Sequence, residues 1–271
     1  MPGWLTVKRS GSPLILAMPH GGTAIPADML DRFQSPWLAR RDADWHIADL
    51  YAGLADATVV ATGISRSVID VNRDPSGASL YPGQATTGLC PETTFDGEPL
   101  YIGDGPDSAE IARRRETWFD PYHAALGQEI ARLRKLHSRV IVYDCHSIRS
   151  RIPRLFDGAL PELNIGTNDG AACAPALREA VMAAAVASGR SAVLDGRFKG
   201  GWTTRHYGCP QDGVHAVQME LAIRAYLPEP TGSVTSDNWP PAFDPEYAAP
   251  LRTVLSHVLS ACLEFAREFP A

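Results

Sequence analysis

The chain of 271 residues predicts an α/β fold in which helices cover both faces of a mainly parallel sheet. Short apolar runs such as PLILAMP (13–19), which is soon followed by two glycines, are typical of buried strands. Longer segments such as 108–137 carry apolar residues at helical spacing, and the two kinds of segment alternate along the chain. Because no repeat or low-complexity tract divides the sequence, we expect a single domain over residues 1–271.

The individual elements follow from local patterns. Residues 43–55 place large apolar side chains at near-helical spacing, which predicts an amphipathic helix, and TVVAT (58–62) and SVIDV (67–71) are typical of strands. Residues 74–107 carry Gly, Pro and Thr without periodicity, which predicts a long functional loop. The remaining predictions are helices at 108–137, 171–188 and 245–267, and strands at 139–147, 191–195 and 215–221.

Composition narrows the classes of protein to consider. The formal net charge of −6 argues against nucleic acid as the main partner, because nucleic-acid-binding proteins usually present a basic patch. No run of about 18 apolar residues is present, so we expect no contact with a membrane. The N-terminal apolar stretch is too short for a secretion signal. The five cysteines form no CxxC pair, which is typical of reduced thiols in a cytoplasmic protein.

Polar residues gather where the predicted strands end. His20 follows the first strand, Asp144 and His146 end a middle strand, and Glu220 ends a late one. In open parallel sheets the ligand site lies outside the carboxyl ends of the strands. We therefore expect these residues to meet at one edge of the sheet.

Two of these residues are candidate metal ligands. A catalytic zinc site takes three ligands from His, Asp and Glu, so His20 and His146 would need one carboxylate, for which we choose Asp44. The alternative is that the histidines only cap strands or make hydrogen bonds. Asp144 is either a carboxylate that orients an imidazole or the polar end of a strand.

Basic residues near strand ends are candidate substrate ligands. The segment GISRSVIDVNRDP contains Arg66, Asn72 and Arg73, and guanidinium groups bind carboxylates in a bidentate manner. A structural salt bridge, with Asp70 as an obvious partner, is the alternative. A second basic segment (195–208) contains four basic residues among glycines, although a plain turn would have the same composition: Arg197, Lys199, Arg205 and His206. The two segments suit a small dianionic substrate better than a polymer.

Glu220 is a candidate general base. A glutamate after an apolar strand is costly if it is buried without a partner, so it is either functional or an exposed strand end. Cys145 and His146 are neighbours in a strand and point to opposite faces, so they do not form a nucleophile pair. The absence of GxSxG and GxxxxGK[ST] excludes the common serine hydrolase and P-loop sites.

Eight segments, in order from about residue 13 to 227, resemble the N-formylglutamate deformylase family. The segments are MPHGGTAIP, DADWHIADLY, SRSVIDVNRDP, LYPGQATTGLCPETTFDGEPLY, DCHSIRS, LNIGTNDGAAC, RFKGGWTTRHYGCP and GVHAVQMEL. The resemblance implies an amidohydrolase that cleaves N-formyl-L-glutamate to formate and L-glutamate at the end of one route of histidine breakdown. It also implies a three-layer fold, with a mixed, mostly parallel sheet between helices, as in zinc carboxypeptidases.

The resemblance also implies roles for single residues. It implies His20, Asp44 and His146 as ligands of Zn²⁺, Glu220 as the general base, and Asn72 with Arg73 as the pair that binds a substrate carboxylate. For a small dicarboxylate substrate we further expect Arg66 to stabilise the oxyanion and Arg205 to hold a carboxylate. The acidic ligand lies farther from the first histidine than in carboxypeptidases, so Asp42 is an alternative to Asp44. The first segment reads His-Gly-Gly where His-Ser-Gly is common, and the loop 74–107 fits a lid.

Two other functions are compatible with these residues. One is a related metal-dependent deacylase or carboxypeptidase that acts on another N-acyl amino acid. The other is a dicarboxylate-binding protein without catalytic activity, although the full set of His20, Asp44, His146 and Glu220 argues against it. The sequence does not indicate an oligomeric state.

Overall fold

The computed structural model describes residues 2–80, 83 and 85–267, and its centre is a seven-stranded sheet. The strands are β1 (Leu5–Lys8), β2 (Leu14–Met18), β3 (Thr58–Thr62), β4 (Val140–Ile148), β5 (Leu163–Gly166), β6 (Ala192–Leu194) and β7 (Val214–Ala222). Their order across the sheet is β1-β3-β2-β4-β7-β5-β6. The strands β3, β2, β4 and β7 are parallel neighbours, whereas β1 and β5 pair antiparallel with β3 and β7.

Helices cover both faces of this sheet. They are α1 (Ile47–Tyr51), α2 (Ser108–Arg114), α3 (Asp120–Arg134), α4 (Pro175–Ala187), α5 (Trp202–Tyr207) and α6 (Pro245–Arg267), and a π-helical segment (Arg115–Phe119) joins α2 to α3. The apolar faces of α1, α4 and α6 share one core with the sheet, and α3 shares a second core on the other face. The predicted α/β class with a mixed, mostly parallel sheet between helices is therefore confirmed. None of the described helices has the length and apolar character needed to cross a membrane.

The structure corrects some of the predicted elements. The predicted strand 67–71 is a series of turns, in which the N–H groups of Val68 and Ile69 bond back to Ser65. Its apolar side chains are buried under α3, so the alternating pattern reflects burial and not strand pairing. Only five residues of the predicted helix 43–55 are helical.

Other predictions agree with the structure to within a few residues. The helix 108–137 is present as α2, the π-helical segment and α3, and the closing helix 245–267 is α6. The short strands β1 and β5 and the helix α5 were not predicted, because four to six residues carry little periodic signal. All five cysteines are free thiols, as expected.

Candidate active site

The candidate active site lies at the carboxyl edge of β4 and β7. On one face of β4, Val140 and Val142 belong to the core beside α3, and Asp144 and His146 continue the same face. His146 is the register partner of Glu220 on β7. At this edge, one face of the two paired strands therefore changes from apolar core to polar site.

Three buried side chains form a cluster at this edge. His20 lies two residues beyond β2, Asp44 precedes α1, and the N–H of Asp44 donates to the carbonyl oxygen of His20 (3.0 Å). The Nδ1 atoms of His146 and His20 lie 3.2 Å and 3.8 Å from the same atom, Asp44 Oδ2. The structure thus brings together the three residues that the sequence predicts as metal ligands.

A second carboxylate contacts the Nε2 atom of each imidazole. Asp70 Oδ1 lies 2.6 Å from His20 Nε2, and Asp144 Oδ2 lies 3.1 Å from His146 Nε2. Outer carboxylates of this kind fix the ring and leave its other nitrogen for a metal. The sequence allowed this role for Asp144 but indicated only a salt bridge for Asp70. The reason is that a strand at 67–71, as predicted, would not place Asp70 beside His20 at the end of β2.

Asn72 lies between His146 and the segment that contains Gly201 and Thr203. Its Nδ2 is 2.8 Å from His146 Nε2 and 3.2 Å from Asp144 Oδ2, and its Oδ1 accepts the N–H of Thr203 (2.7 Å). A Cβ atom at Gly201 would lie only 2.4 Å from Asn72 Nδ2, so the glycine permits this close approach. The amide predicted to bind substrate therefore also contacts the histidine of the cluster.

The donor set of the cluster fits a divalent metal. Zinc at about 2.0–2.2 Å from tetrahedral N and O ligands places those ligands roughly 3.3–3.6 Å apart, close to the observed 3.2 Å and 3.8 Å. Asp44 Oδ1 is buried and has no hydrogen-bond partner among the described residues. Burial opposes protonation of His146, yet Asp144 and Asp44 raise its pKa well above the usual value, so the site favours positive charge.

Asp42, the alternative acidic ligand, faces away from the cluster. Its Oδ2 accepts the N–H of Phe95 (2.6 Å), and its Oδ1 lies 3.4 Å from Arg149 Nη2. Asp42 thus anchors the loop that contains Phe95, and Asp44 is the carboxylate that joins the two histidines.

Glu220 faces the same cavity as the cluster. Its exposed fraction is 8 %, and burial raises its pKa to about 8; His146 and Arg66 oppose this shift, and Asp44 adds to it. A dication beside the carboxylate would lower that pKa again, because a nearby positive charge favours the ionised form. Glu220 can therefore exchange a proton near neutral pH.

Arg66 is fixed beside the cluster by two carboxylates and an aromatic ring. Its Nη2 donates to Asp70 Oδ2 (2.8 Å), its Nη1 lies 3.6 Å from Asp44 Oδ1, and its guanidinium stacks 4.8 Å from the ring centre of Phe95. Burial lowers the pKa of Arg66, but Asp70 and Asp44 outweigh this and raise it, so the side chain is a permanent cation.

A cavity opens next to these residues. It is lined by His20, Arg66, Asn72, Arg73, Ala85, Thr86, Thr87, Phe95, His146, Ile148, Leu155, Arg197, Phe198, Gly201, Gln218 and Glu220. Four described residues of the predicted functional loop, Ala85, Thr86, Thr87 and Phe95, thus line the cavity. Arg73 Nη2 donates to Thr87 Oγ1 (3.1 Å). Arg205 donates from Nε to the carbonyl oxygen of Gly200 (2.8 Å) and is not among the described side chains that line the cavity, whereas Arg197 is.

Cys145 lies on the opposite face of β4 from the site. It is fully buried in the core with α6, and burial raises the pKa of its thiol well above the usual value. The prediction that Cys145 is a small buried residue and not a nucleophile is consistent with this position.

Comparison with known proteins connects this geometry to a family. Residues 12–227 match the model of the N-formylglutamate amidohydrolase family. The chain belongs to that family. It is 43 % identical over 274 residues to N-formylglutamate deformylase of Pseudomonas aeruginosa and 44 % identical over 268 residues to that of Pseudomonas putida, with 97 % of each chain covered in both comparisons.

A solved structure of a family member shares the fold. The crystal structure of N-formylglutamate amidohydrolase from Ralstonia eutropha superposes with a TM-score of 0.76 at 23 % identity, and the match covers 97 % of this chain and 98 % of that one. The family model and the two Pseudomonas relatives confirm, at the level of the family, the resemblance found in the eight ordered segments.

Proposed function

We propose that this chain is a metal-dependent amidohydrolase that cleaves N-formyl-L-glutamate to formate and L-glutamate. The observation that carries the proposal is the buried cluster of His20, Asp44 and His146 with Glu220 in register beside it. The two Pseudomonas relatives are deformylases, and their similarity to this chain covers nearly the whole length of each, which supports the same reaction here.

The proposed ligands are the two imidazoles and the carboxylate of Asp44, and the proposed metal is zinc. When bound, the ion would polarise the formyl carbonyl group and lower the pKa of a water molecule. The contribution of the chain is to orient the ligands, since Asp70 and Asp144 hold the far nitrogens of His20 and His146.

Glu220 is the proposed general base and acid. Its carboxylate takes a proton from the attacking water and passes it to the glutamate nitrogen when the C–N bond breaks. Burial raises the pKa of this carboxyl group and the Arg66 cation opposes the rise, so both protonation states of Glu220 are accessible.

Arg66 and Arg73 are the proposed cations for the negative charges of the reaction. Arg66 is held rigidly by Asp70 and Phe95, so it can donate to the oxygen that gains charge at the formyl carbon without reorganising. Arg73 lines the cavity on the side of Asp70 and would hold a substrate carboxylate, with Asn72 beside it. Arg205 is left out of this proposal because it does not line the cavity.

A comparison of substrates tests the proposal. Initial rates of the purified protein are measured on N-formyl-L-glutamate and N-acetyl-L-glutamate, with formate and acetate as the respective products. We expect a strong preference for the formyl substrate. A higher rate on the acetyl substrate would indicate a different deacylase, and glutamate binding without turnover would indicate a binding protein.

The proposed place of the reaction is the end of a cytoplasmic route of histidine breakdown. Host cells that lack this chain and grow on histidine should then accumulate N-formyl-L-glutamate. Normal consumption of that compound in such cells would argue against this role.

A further inference from the structure

The cavity beside the cluster contains a third arginine that the proposed mechanism does not use. Among the described side chains, the arginines that line this cavity are Arg66, Arg73 and Arg197. Arg66 is bound to Asp70 and directed at Asp44, so its charge serves the metal end of the cavity. A substrate with two carboxylates needs a further cation beyond Arg73.

Arg197 is held in place at the cavity wall by the main chain. Its Nε donates to the carbonyl oxygen of Leu155 (2.9 Å), its Nη2 donates to that of Ala85 (2.9 Å), and its guanidinium packs 5.2 Å from the ring centre of Phe198. The side chain is only half-buried. A guanidinium fixed in this way binds a carboxylate with little further loss of side-chain entropy.

The wall between the cluster and Arg197 is apolar. Ile148 follows His146 on the same face of β4, about 7 Å farther along the strand at two residues of extended chain. Leu155 and Phe198 pack against the small core that contains Ile148. This surface matches the two methylene groups of a glutamate side chain, which must cross from the reacting amide to the second carboxylate.

The same short loop segment links the two outer arginines. Arg73 donates to Thr87 and Arg197 donates to Ala85, two residues away. Arg73 lies on the side of Asp70, and Arg197 lies on the side of Leu155. The two cations therefore line one cavity and contact positions two residues apart on the same loop, with Asp70 beside one and Leu155 beside the other.

We propose that Arg197 binds the side-chain carboxylate of the substrate and makes the cavity selective for N-acyl amino acids with an acidic side chain. The kinetic test of this inference rests on the proposed function. It replaces Arg205, which we expected from the sequence to hold a substrate carboxylate, with a residue whose side chain lines the cavity.

Substrate discrimination in two arginine variants tests this assignment. N-formyl-L-glutamine has the shape of N-formyl-L-glutamate without the side-chain charge, so the ratio of kcat/KM for the two substrates measures the second carboxylate site. In Arg197→Ala the ratio should fall by about 10- to 100-fold, the range for a lost hydrogen bond to a charged group. Arg197→Lys should keep part of the preference, and Arg205→Ala should keep the full ratio.

Two results would overturn the assignment. One is an equal loss of kcat/KM for both substrates in Arg197→Ala with an unchanged melting temperature. The other is loss of the preference in Arg205→Ala and not in Arg197→Ala.

Binding of the product separates this inference from the proposed function. Calorimetry with L-glutamate and L-glutamine reports the same carboxylate site without any turnover. One possible result is that the native protein releases no formate but binds glutamate more tightly than glutamine. If Arg197→Ala then removes this preference, the proposed function fails and the role of Arg197 stands. If glutamate and glutamine bind equally to the native protein, the role of Arg197 is refuted.

Discussion

At the scale of single residues, the site combines buried charges that stabilise each other. Asp70 contacts His20, Arg66 and Arg73, and burial opposes its ionisation, but His20 and Arg66 hold its pKa well below the usual value. A buried carboxylate in this position orders the residues on both sides of it. The functions of neighbouring residues therefore depend on Asp70.

Replacement of Glu220 should separate catalysis from metal binding. Glu220→Gln keeps the shape of the side chain and removes its proton-transfer role, so kcat should fall by roughly 10²- to 10⁴-fold. Since Glu220 is outside the cluster of three donors, zinc content measured by elemental analysis should stay unchanged. Full activity in this variant would exclude Glu220 as the base.

Replacement of Asp70 should weaken metal binding. Asp70→Asn removes the charge behind His20 Nε2, and loss of such an outer partner weakens metal affinity by about 10- to 100-fold. Competition with a chelator measures this change, and Glu220→Gln serves as the matched control because it leaves the cluster intact. Equal affinities in the two variants would contradict the role given to Asp70.

At the scale of elements, parallel pairing explains why the site could be located from the sequence. The strands β2, β4 and β7 run in the same direction, so His20, His146 and Glu220 come to one edge. β6 is parallel to β5 and therefore runs opposite to β7. Arg197 follows β6 and returns to the site through a loop, which a rule about strand ends does not predict.

The neighbouring aspartates Asp42 and Asp44 should have different phenotypes. Asp44→Ala should abolish stoichiometric zinc binding, because Asp44 Oδ2 joins both histidines. Asp42→Ala should retain zinc and speed hydrogen exchange in residues 93–98, because Asp42 holds the N–H of Phe95. Loss of zinc in Asp42→Ala with zinc retained in Asp44→Ala would reverse the assignment.

At the scale of the whole molecule, the alternation of side chains between the two faces of a strand determined how much of the site could be predicted from the sequence. The residues Ile141, Tyr143 and Cys145 keep one face of β4 apolar as far as Cys145, whereas the other face becomes polar at Asp144. That change is visible in the sequence and indicated the site. The role of Asp70 and the place of Arg197 depend on turns that bring distant segments together, and no local pattern encodes them.

Stability should decrease in mildly acidic solution because of two histidines outside the site. Burial lowers the pKa of His123 and of His215 to about 4, while the unfolded chain titrates near 6.5. Between these pH values the unfolded state binds more protons, so the free energy of unfolding falls as the pH falls from 6.5 to 4. Denaturant titrations of the native protein and of His215→Gln across this range measure the effect. An identical pH dependence in both proteins would contradict the contribution of His215.

The most direct test of the account is formate release from N-formyl-L-glutamate by the purified protein as isolated, after chelation, and after zinc is restored. We predict that activity is lost with the chelator and returns with about one zinc ion per chain, since His20, Asp44 and His146 form one three-donor cluster. Full activity in chelated protein that contains no metal would contradict a metal-dependent mechanism. No formate in any of the three states would contradict the proposed reaction.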